Sequence, residues 1–193
     1  MNALVQVQSS RAITTTQAAP PALEPAQYLT FMLAGEMFAI GILAIKEIIE
    51  YGSLTPVPMM PASVRGVINL RGAVVPVMDL LARFGKPPSP VTKRSCIVIV
   101  EVASADERKV IGVAVDAVNE ELDIAPADIE PPPAFGARIR SDFIQGMGKV
   151  KGKFVILLNL DHALSMDEHT ALGDFAIDAQ ASPAAEAVED RKH

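Results

Sequence analysis

The residues that could carry acid–base or metal chemistry are few and lie near one end of the chain. The three histidines are His162, His169 and His193, so residues 27–160 contain none. A Ser-His-Asp or Cys-His arrangement, or a zinc site, would require the C-terminal tail to fold back. Cys96 is the only cysteine and begins an apolar run, which favours a small core residue over a nucleophile. We therefore expect no enzymatic activity, no metal and no cofactor.

A segment rich in glycine and lysine, residues 146–152, has a composition found in phosphate-binding loops. It lacks the G-x-G-x-x-G pattern because Lys151 stands where the third glycine is required. It also lacks the P-loop pattern, because Phe154 stands where Ser or Thr must follow the lysine. A lysine-rich hairpin turn is the better interpretation.

Charge divides the chain unevenly. Residues 161–193 contain eight acidic residues against Arg191 and Lys192, whereas residues 27–160 contain 14 acidic and 14 basic residues. The net charge of −6 is therefore that of the C-terminal segment. A neutral central segment argues against a nucleic-acid binder, which needs a basic face to displace counterions. A neutral segment that folds as a small β-barrel would still leave an OB-like nucleic-acid-binding module as an alternative class.

Composition separates three zones. Residues 1–26 are rich in Thr, Gln, Ala and Pro without periodicity, and we expect them to be disordered. Residues 27–164 form the predicted domain, and residues 165–193 form an acidic tail with a short helix near residues 167–176. No signal peptide and no apolar stretch of about 18 residues is found, which predicts a soluble, cytoplasmic protein.

The central zone has the pattern of an all-β protein with short helices. Seven apolar runs rich in β-branched residues are bounded by turn formers: residues 28–33, 37–42, 67–70, 73–78, 96–102, 110–115 and 154–158. Asp79 is placed to cap a short helix over residues 80–84 that Gly85 would close. Residues 43–49 have helical apolar spacing, and Pro76 predicts an edge strand because it cannot donate to a ladder.

An internal repeat is the most informative feature of the central zone. At an offset of 80, residues 64–80 align with residues 144–160, and at an offset of 73, residues 40–47 align with residues 113–120. The matches keep a basic-Gly turn and the Asp or Asn cap that follows it. We interpret them as a duplicated unit of four or five strands, each unit closing into a small barrel without exposed edges. The predicted subdomains are residues 27–92 and 93–164, with a groove between them.

Four segments carry a resemblance to a known family: residues 38–48, 66–80, 110–118 and 146–160. The run Asn69-Leu70-Arg71-Gly72 followed by Val75-Pro76-Val77-Met78-Asp79-Leu80 resembles the signature of CheW-type coupling proteins. The resemblance covers residues 27–164. It implies a pair of five-stranded SH3/OB-like β-barrels, with or without exchange of strands, and no enzymatic activity.

The resemblance also implies partners. Proteins of this type join the cytoplasmic hairpin tip of chemoreceptors to the regulatory domain of a CheA-type histidine kinase, and can form rings in which coupler and kinase alternate. The expected function is therefore a scaffold for signal transduction in chemotaxis, located at receptor arrays through its partners. A coupler serving a non-flagellar signalling array remains an alternative.

Arg71 is the first candidate for partner binding. A two-residue turn formed by Arg71 and Gly72 would hold the arginine outward on a stiff support, although Asn-Gly would be the easier turn. A solubilising arginine is the alternative interpretation. The resemblance favours the functional one, because it links the matching arginine to receptor and kinase coupling.

The other candidates surround that turn. We expect Glu47 to form an ion pair or a complementary charged patch with Arg71, and Ile45 to serve as an apolar anchor. Ile45 and Glu47 would share a face of an extended segment but not of a helix. Gly66 and Asn69 flank the same surface, and Val118 is the repeat counterpart of Ile45. For these residues the structural alternatives are turn geometry, a solvated charge, or the core.

Overall fold

The protein is described here by a computed structural model covering residues 24–104, 107–133 and 139–165. In these ranges it forms eleven strands: β1 (Ala26–Leu33), β2 (Glu36–Gly41), β3 (Ile45–Glu50), β4 (Val64–Leu70), β5 (Ala73–Asp79), β6 (Cys96–Ser104), β7 (Glu107–Val115), β8 (Ala117–Ile124), β9 (Ile129–Glu130), β10 (Ile144–Val150) and β11 (Lys153–Leu158). Two one-turn helices, α1 (Leu80–Arg83) and α2 (Leu160–Ala163), follow β5 and β11. Short 3-10 turns span Ile42–Ala44, Pro126–Asp128 and Ser141–Phe143. The helix expected near residues 167–176 lies outside the described residues, as does most of the tail predicted to be disordered, residues 1–23.

The strands form two sheets of matching order. The first sheet runs β8-β1-β2-β11-β10-β9 and the second runs β3-β6-β7-β5-β4. Thr55, shortly after β3, pairs with Val67 of β4 just as β9, shortly after β8, pairs with β10. In each sheet, a strand at one edge is followed directly by a short segment that pairs at the opposite edge. These are β3 with Thr55 in the second sheet and β8 with β9 in the first, and this connection curls each sheet into a small barrel. The expected all-β pair of small barrels is confirmed.

Each sheet combines strands from both halves of the sequence. Strands β1 and β2 lie beside β8 and β11, and β5 pairs in parallel with β7. The second sheet is nevertheless one continuous length of chain, residues 45–115, and the first sheet is assembled from the two lengths on either side of it. The subdomain boundary at residues 92 and 93 stays a prediction, and strands from both sides of it share each sheet.

The two repeat units match in local detail. The β4–β5 and β10–β11 hairpins carry register shifts at equivalent places, before Gly66 and before Gly146. A capping side chain follows each hairpin. Asp79 Oδ1 accepts hydrogen bonds from the backbone N–H of Leu81 (2.8 Å) and of the next residue, and Asn159 Oδ1 accepts from that of His162 (3.4 Å).

The predicted end of α1 is also observed. The N–H of Gly85 donates to the carbonyl of Ala82, and that of Lys86 donates to the carbonyl of Leu81. This is the bond pattern of a Schellman motif, which satisfies carbonyls left free at a helix end.

Two expectations from the sequence were wrong. Residues 43–49 are not helical: a 3-10 turn is followed by β3, whose pairing with β6 overrides the apolar spacing. Strand β5 is not an edge strand, because it lies between β4 and β7. The cross-strand partner of Pro76 is Val67, whose backbone N–H and C=O both bond to Thr55 and not to β5. The Pro76 nitrogen therefore faces away from β4, where no N–H donor is needed. On that other side, pairing with β7 begins only at Val77.

The largest core cluster joins the two sheets. It contains buried residues of β1 and β2 from the first sheet and of β5, β6 and β7 from the second, including Phe31, Phe38 and Val98. Cys96 is half-buried and packs against this cluster. A separate, smaller cluster of buried residues lies inside the barrel formed by each sheet. Within the described ranges, no helix has the length and apolar character needed to cross a membrane.

Candidate partner-binding surface

The Arg71–Gly72 turn has the geometry expected of a tight hairpin. The backbone φ angle is 51° at Arg71 and 88° at Gly72, as a type I′ turn requires. The Asn69 Oδ1 accepts a hydrogen bond of 2.9 Å from the Gly72 N–H, which stiffens the turn. Ala34 and Lys151 adopt the same left-handed conformation before a glycine. The choice of residue at the turn therefore does not by itself single out Arg71.

The arginine is singled out by its partner. Arg71 Nη1 lies 2.7 Å from Glu47 Oε1, and Arg71 Nη2 lies 2.9 Å from Glu47 Oε2. This bidentate geometry fixes the guanidinium plane, although its side chain is 77% exposed. The hydrogen bonds to Glu47 hold the pKa of Arg71 above its ordinary value. Because Glu47 lies on β3 and Arg71 follows β4, the pair also joins the two edge strands of the second sheet.

Apolar side chains on the same two elements are open to solvent. Val74, directly across the hairpin from Asn69, is 71% exposed, and Ile48, which follows Glu47 on β3 but lies on the opposite face of that strand, is 43% exposed. An oriented cation with an exposed apolar side chain on the same hairpin has the composition of a protein-binding surface rather than a small-molecule site.

A β-bulge separates Ile45 from Glu47. Ile45 pairs with Val100 and Glu47 pairs with Ile99, so β3 advances two residues while β6 advances one. Because Val100 and Ile99 lie on opposite faces of β6, Ile45 packs against the large core and Glu47 is free to reach Arg71. The segment is extended, yet the shared face expected of an extended segment is absent. The structure brings Glu47 to Arg71 and places Ile45 largely inside.

The backbone conformation and the close approach of Thr55 require a glycine at position 66. Its φ is +153°, and a Cβ atom there would lie 2.6 Å from the carbonyl oxygen of Thr55. Any side chain would push apart the bridge that closes the second barrel. Gly66 therefore positions β4 next to residue 55, and its part in partner binding stays a prediction.

Val118 is remote from the Arg71 turn in the pairing pattern. It lies on β8 in the first sheet, opposite Phe31, and packs against the large core. In the described part of the chain, no ion pair joins the counterparts of Glu47 and Arg71, which are Glu120 and Lys151. The second unit thus lacks the charged arrangement of the first. A binding role for Val118 also stays a prediction.

Sequence reasoning missed a second ion pair, Arg65–Asp79. Arg65 Nε donates to Asp79 Oδ2 at 2.7 Å, and its Nη1 donates to the Tyr51 hydroxyl at 3.2 Å. Its Nη2 donates to the Ser89 carbonyl at 2.9 Å. Desolvation acts to lower the pKa of Arg65, but hydrogen bonds to Tyr51 and Asp79 outweigh it and leave that pKa raised.

The side chain of Asp79 is 4% exposed and that of Arg65 is 18% exposed, so this pair is structural. The internal repeat gave the only indication in the sequence that Arg65 and Asp79 interact. At the counterpart positions Gln145 and Asn159 replace both charges together.

The chain is similar in sequence to known chemotaxis proteins and in structure to a scaffolding protein. A family model described as a CheW-like domain matches residues 27–168. The chain is 34% identical over 145 residues to the chemotaxis protein CheW of Rhizobium meliloti (strain 1021), covering 75% of this chain and 91% of that protein. It is 27% identical over 150 residues to CheW of Klebsiella aerogenes, covering 78% and 88%. The crystal structure of the scaffolding protein TtCheW from Thermoanaerobacter tengcongensis matches with a TM-score of 0.67 and 33% identity, covering 78% of this chain and 93% of that one.

Fold and similarity together define the class: a chemotaxis scaffold protein built from paired small barrels. The chain belongs to the CheW-like family.

Proposed function

We propose that this protein is a non-catalytic coupler that joins the cytoplasmic tips of chemoreceptors to a CheA-type histidine kinase. Membership of the CheW-like family supports the coupling role. The binding surface that we propose contains Arg71, Glu47 and Asn69, with the exposed Val74 beside them. The proposed site of action is the cytoplasm, where several copies would bind within one receptor array.

The observation that carries the site assignment is the bidentate Arg71–Glu47 pair. A long exposed arginine normally samples many rotamers, and a partner that orders it pays that entropy on binding. Here Glu47 holds the guanidinium already, while leaving donors on its open side. Arg71 is thus preorganised to meet a carboxylate or carbonyl of a partner, and Val74 supplies apolar contact area next to it.

The test is reconstitution of receptor fragment, kinase and this protein, with co-sedimentation and phosphoryl flux measured together. Arg71→Glu is expected to weaken binding by ~2 kcal/mol, or about thirtyfold, as is typical for a central interface arginine. Glu47→Arg should weaken binding less, because Arg71 remains but is no longer held. If both swaps are combined, part of the loss should be recovered.

The chain offers a matched control in the Arg108–Glu101 pair. Arg108 is 80% exposed and lies 3.0 Å from Glu101, which is 24% exposed, so the two pairs match in exposure, whereas Arg108 makes a single hydrogen bond and not a bidentate contact. Arg108→Glu should leave coupling unchanged. Equal coupling by wild type and a correctly folded Arg71→Glu variant would remove Arg71 from the binding surface, and turnover of a small molecule by the purified protein would refute the non-catalytic role.

A further inference from the structure

The hairpin that joins β10 and β11 carries three lysines and one exposed aromatic side chain. Lys149, Lys151 and Lys153 are all exposed, and none has an ion-pair partner among the residues that the structure describes. Phe154 lies directly across the hairpin from Lys149 and is 53% exposed. These four residues are called the lysine hairpin below. Lys149 and Phe154 share one face of the hairpin, Lys151 lies at its turn, and Lys153, which pairs with Val150, lies on the other face.

The counterpart hairpin of the other repeat unit shows that such charge is not required by the turn. There the turn cation Arg71 is neutralised by Glu47, and the positions matching Lys149 and Lys153 are Asn69 and Ala73. The aromatic position is Val74 in that unit. The lysine hairpin therefore carries more uncompensated positive charge than its structural twin, with an exposed aromatic ring in place of the exposed Val74, which suits a ligand with acidic and apolar groups.

The chain itself contains a segment of that chemistry. Residues 166–193 contain seven acidic residues against two basic ones. Within them the run Asp174-Phe175-Ala176-Ile177-Asp178 places apolar side chains between two carboxylates. Its charge and its apolar content both complement the lysine hairpin.

The covalent connection allows the contact. Strand β11 begins at the hairpin and has six residues, so its far end lies about 20 Å away at ~3.3 Å per residue. The chain then forms α2 and is fixed at Ser165, whose carbonyl accepts a 2.9 Å hydrogen bond from Arg83. Asp174 is nine residues further along, and nine residues can span up to about 30 Å. The acidic run can therefore reach the lysine hairpin of its own chain.

We propose that the lysine hairpin is a docking site for the acidic C-terminal segment of the same chain, centred on residues 174–178. Docking would place the carboxylates of Asp174 and Asp178 beside Lys149 and Lys151, and the apolar residues between them against Phe154. The contact is independent of the receptor-coupling function, since it uses neither Arg71 nor Glu47.

The test is NMR on the full-length protein, following the backbone amides of Val150 and Gly152. In the wild type these amides should shift between about 20 mM and about 500 mM salt, because added salt screens exposed charges. Asp174→Asn with Asp178→Asn should lower the docking equilibrium constant about fourfold, since each of the two exposed ion pairs contributes a factor of about two. The matched control is Glu186→Gln with Glu189→Gln, which removes the same charge elsewhere in the segment and should leave the hairpin amides as in wild type.

A reciprocal measurement removes the lysines instead. With Lys149, Lys151 and Lys153 all changed to Gln, the amides of Phe175 and Ile177 should lose their salt dependence, while a variant with Gln at Lys93, Arg94 and Lys109 should retain it. Hairpin amides that ignore the aspartate pair, or respond equally to the control pair, would overturn the proposal. Carbodiimide crosslinks found only between isotope-labelled and unlabelled chains would also overturn it, because they would assign the hairpin to a second copy.

Discussion

The Arg65–Asp79 pair provides a sharp test of how the second barrel is held together. Asp79 caps α1 with one carboxylate oxygen and binds Arg65 with the other, while Arg65 also contacts Tyr51 and Ser89. The two side chains thus tie β4, β5, α1 and the loop before β6 to one another. The perturbation is Asp79→Asn, which leaves an oxygen for the cap but removes the charge that Arg65 requires.

We expect Asp79→Asn to lower the free energy of unfolding by about 3 kcal/mol. Removing one partner of a buried ion pair costs ~3–5 kcal/mol, and the 18% exposure of Arg65 argues for the lower end. Adding Arg65→Gln should restore stability to within about 1 kcal/mol of wild type, because no buried charge then lacks its partner. The double variant reproduces the Gln145 and Asn159 that the other repeat unit carries at these positions.

The assay is urea unfolding of the wild type, both single variants and the double variant, followed by circular dichroism at neutral pH. A coupling energy of about 2 kcal/mol or more is expected from the double-mutant cycle. Arg108→Gln serves as the control and should change stability by less than about 0.5 kcal/mol. If the two single losses simply add in the double variant, the network does not hold the barrel and the reasoning fails.

Three further predictions follow from individual residues. Gly66→Ala should cost about 2 kcal/mol or more in thermal or urea unfolding, because its Cβ would meet the Thr55 carbonyl, while Gly52→Ala, with nothing within 4 Å, should be nearly neutral. Arg71→Asn should preserve or slightly raise stability, since Asn tolerates the left-handed turn, yet it should weaken receptor and kinase binding. Hydrogen bonds from Arg108 and Lys46 lower the pKa of Glu101. The stability that Glu101 contributes is therefore present above the ordinary glutamate pKa and is lost as the pH falls through the lowered pKa. An NMR titration should show that pKa rising in Arg108→Gln, and an unchanged value would refute the assignment.

Much of the local structure could be predicted because it depends on neighbours in sequence. The helix after Asp79 follows from a capping side chain and a closing glycine within seven residues of each other. The hairpin at Arg71 follows from the two residues between its strands. The ion pair with Glu47 was anticipated through the family resemblance, and the observed pair spans 24 residues of sequence.

The failures share a different cause. Residues 43–49 have apolar spacing compatible with a helix, and only the availability of β6 as a partner makes them a bulged strand. The interior position of the strand that contains Pro76 could not be predicted without knowing that Val67 bonds to Thr55. Arg65 stands beside the recognised motif, but its contact with Asp79 depends on the register of β4 against β5.

The sequence by itself determined the β character, the turns, the caps and the twofold repetition, because each arises from side-chain chemistry over a few adjacent residues. Only the tertiary structure decided which strands share a barrel. The parallel contact of β2 with β11 joins segments more than 100 residues apart, and the parallel contact of β5 with β7 passes over the intervening β6. Because repeated units have equivalent edges, each unit could close into a barrel with its own strands or with strands of the other unit. The pairing that forms depends on the total surface buried, including the large core that both sheets share.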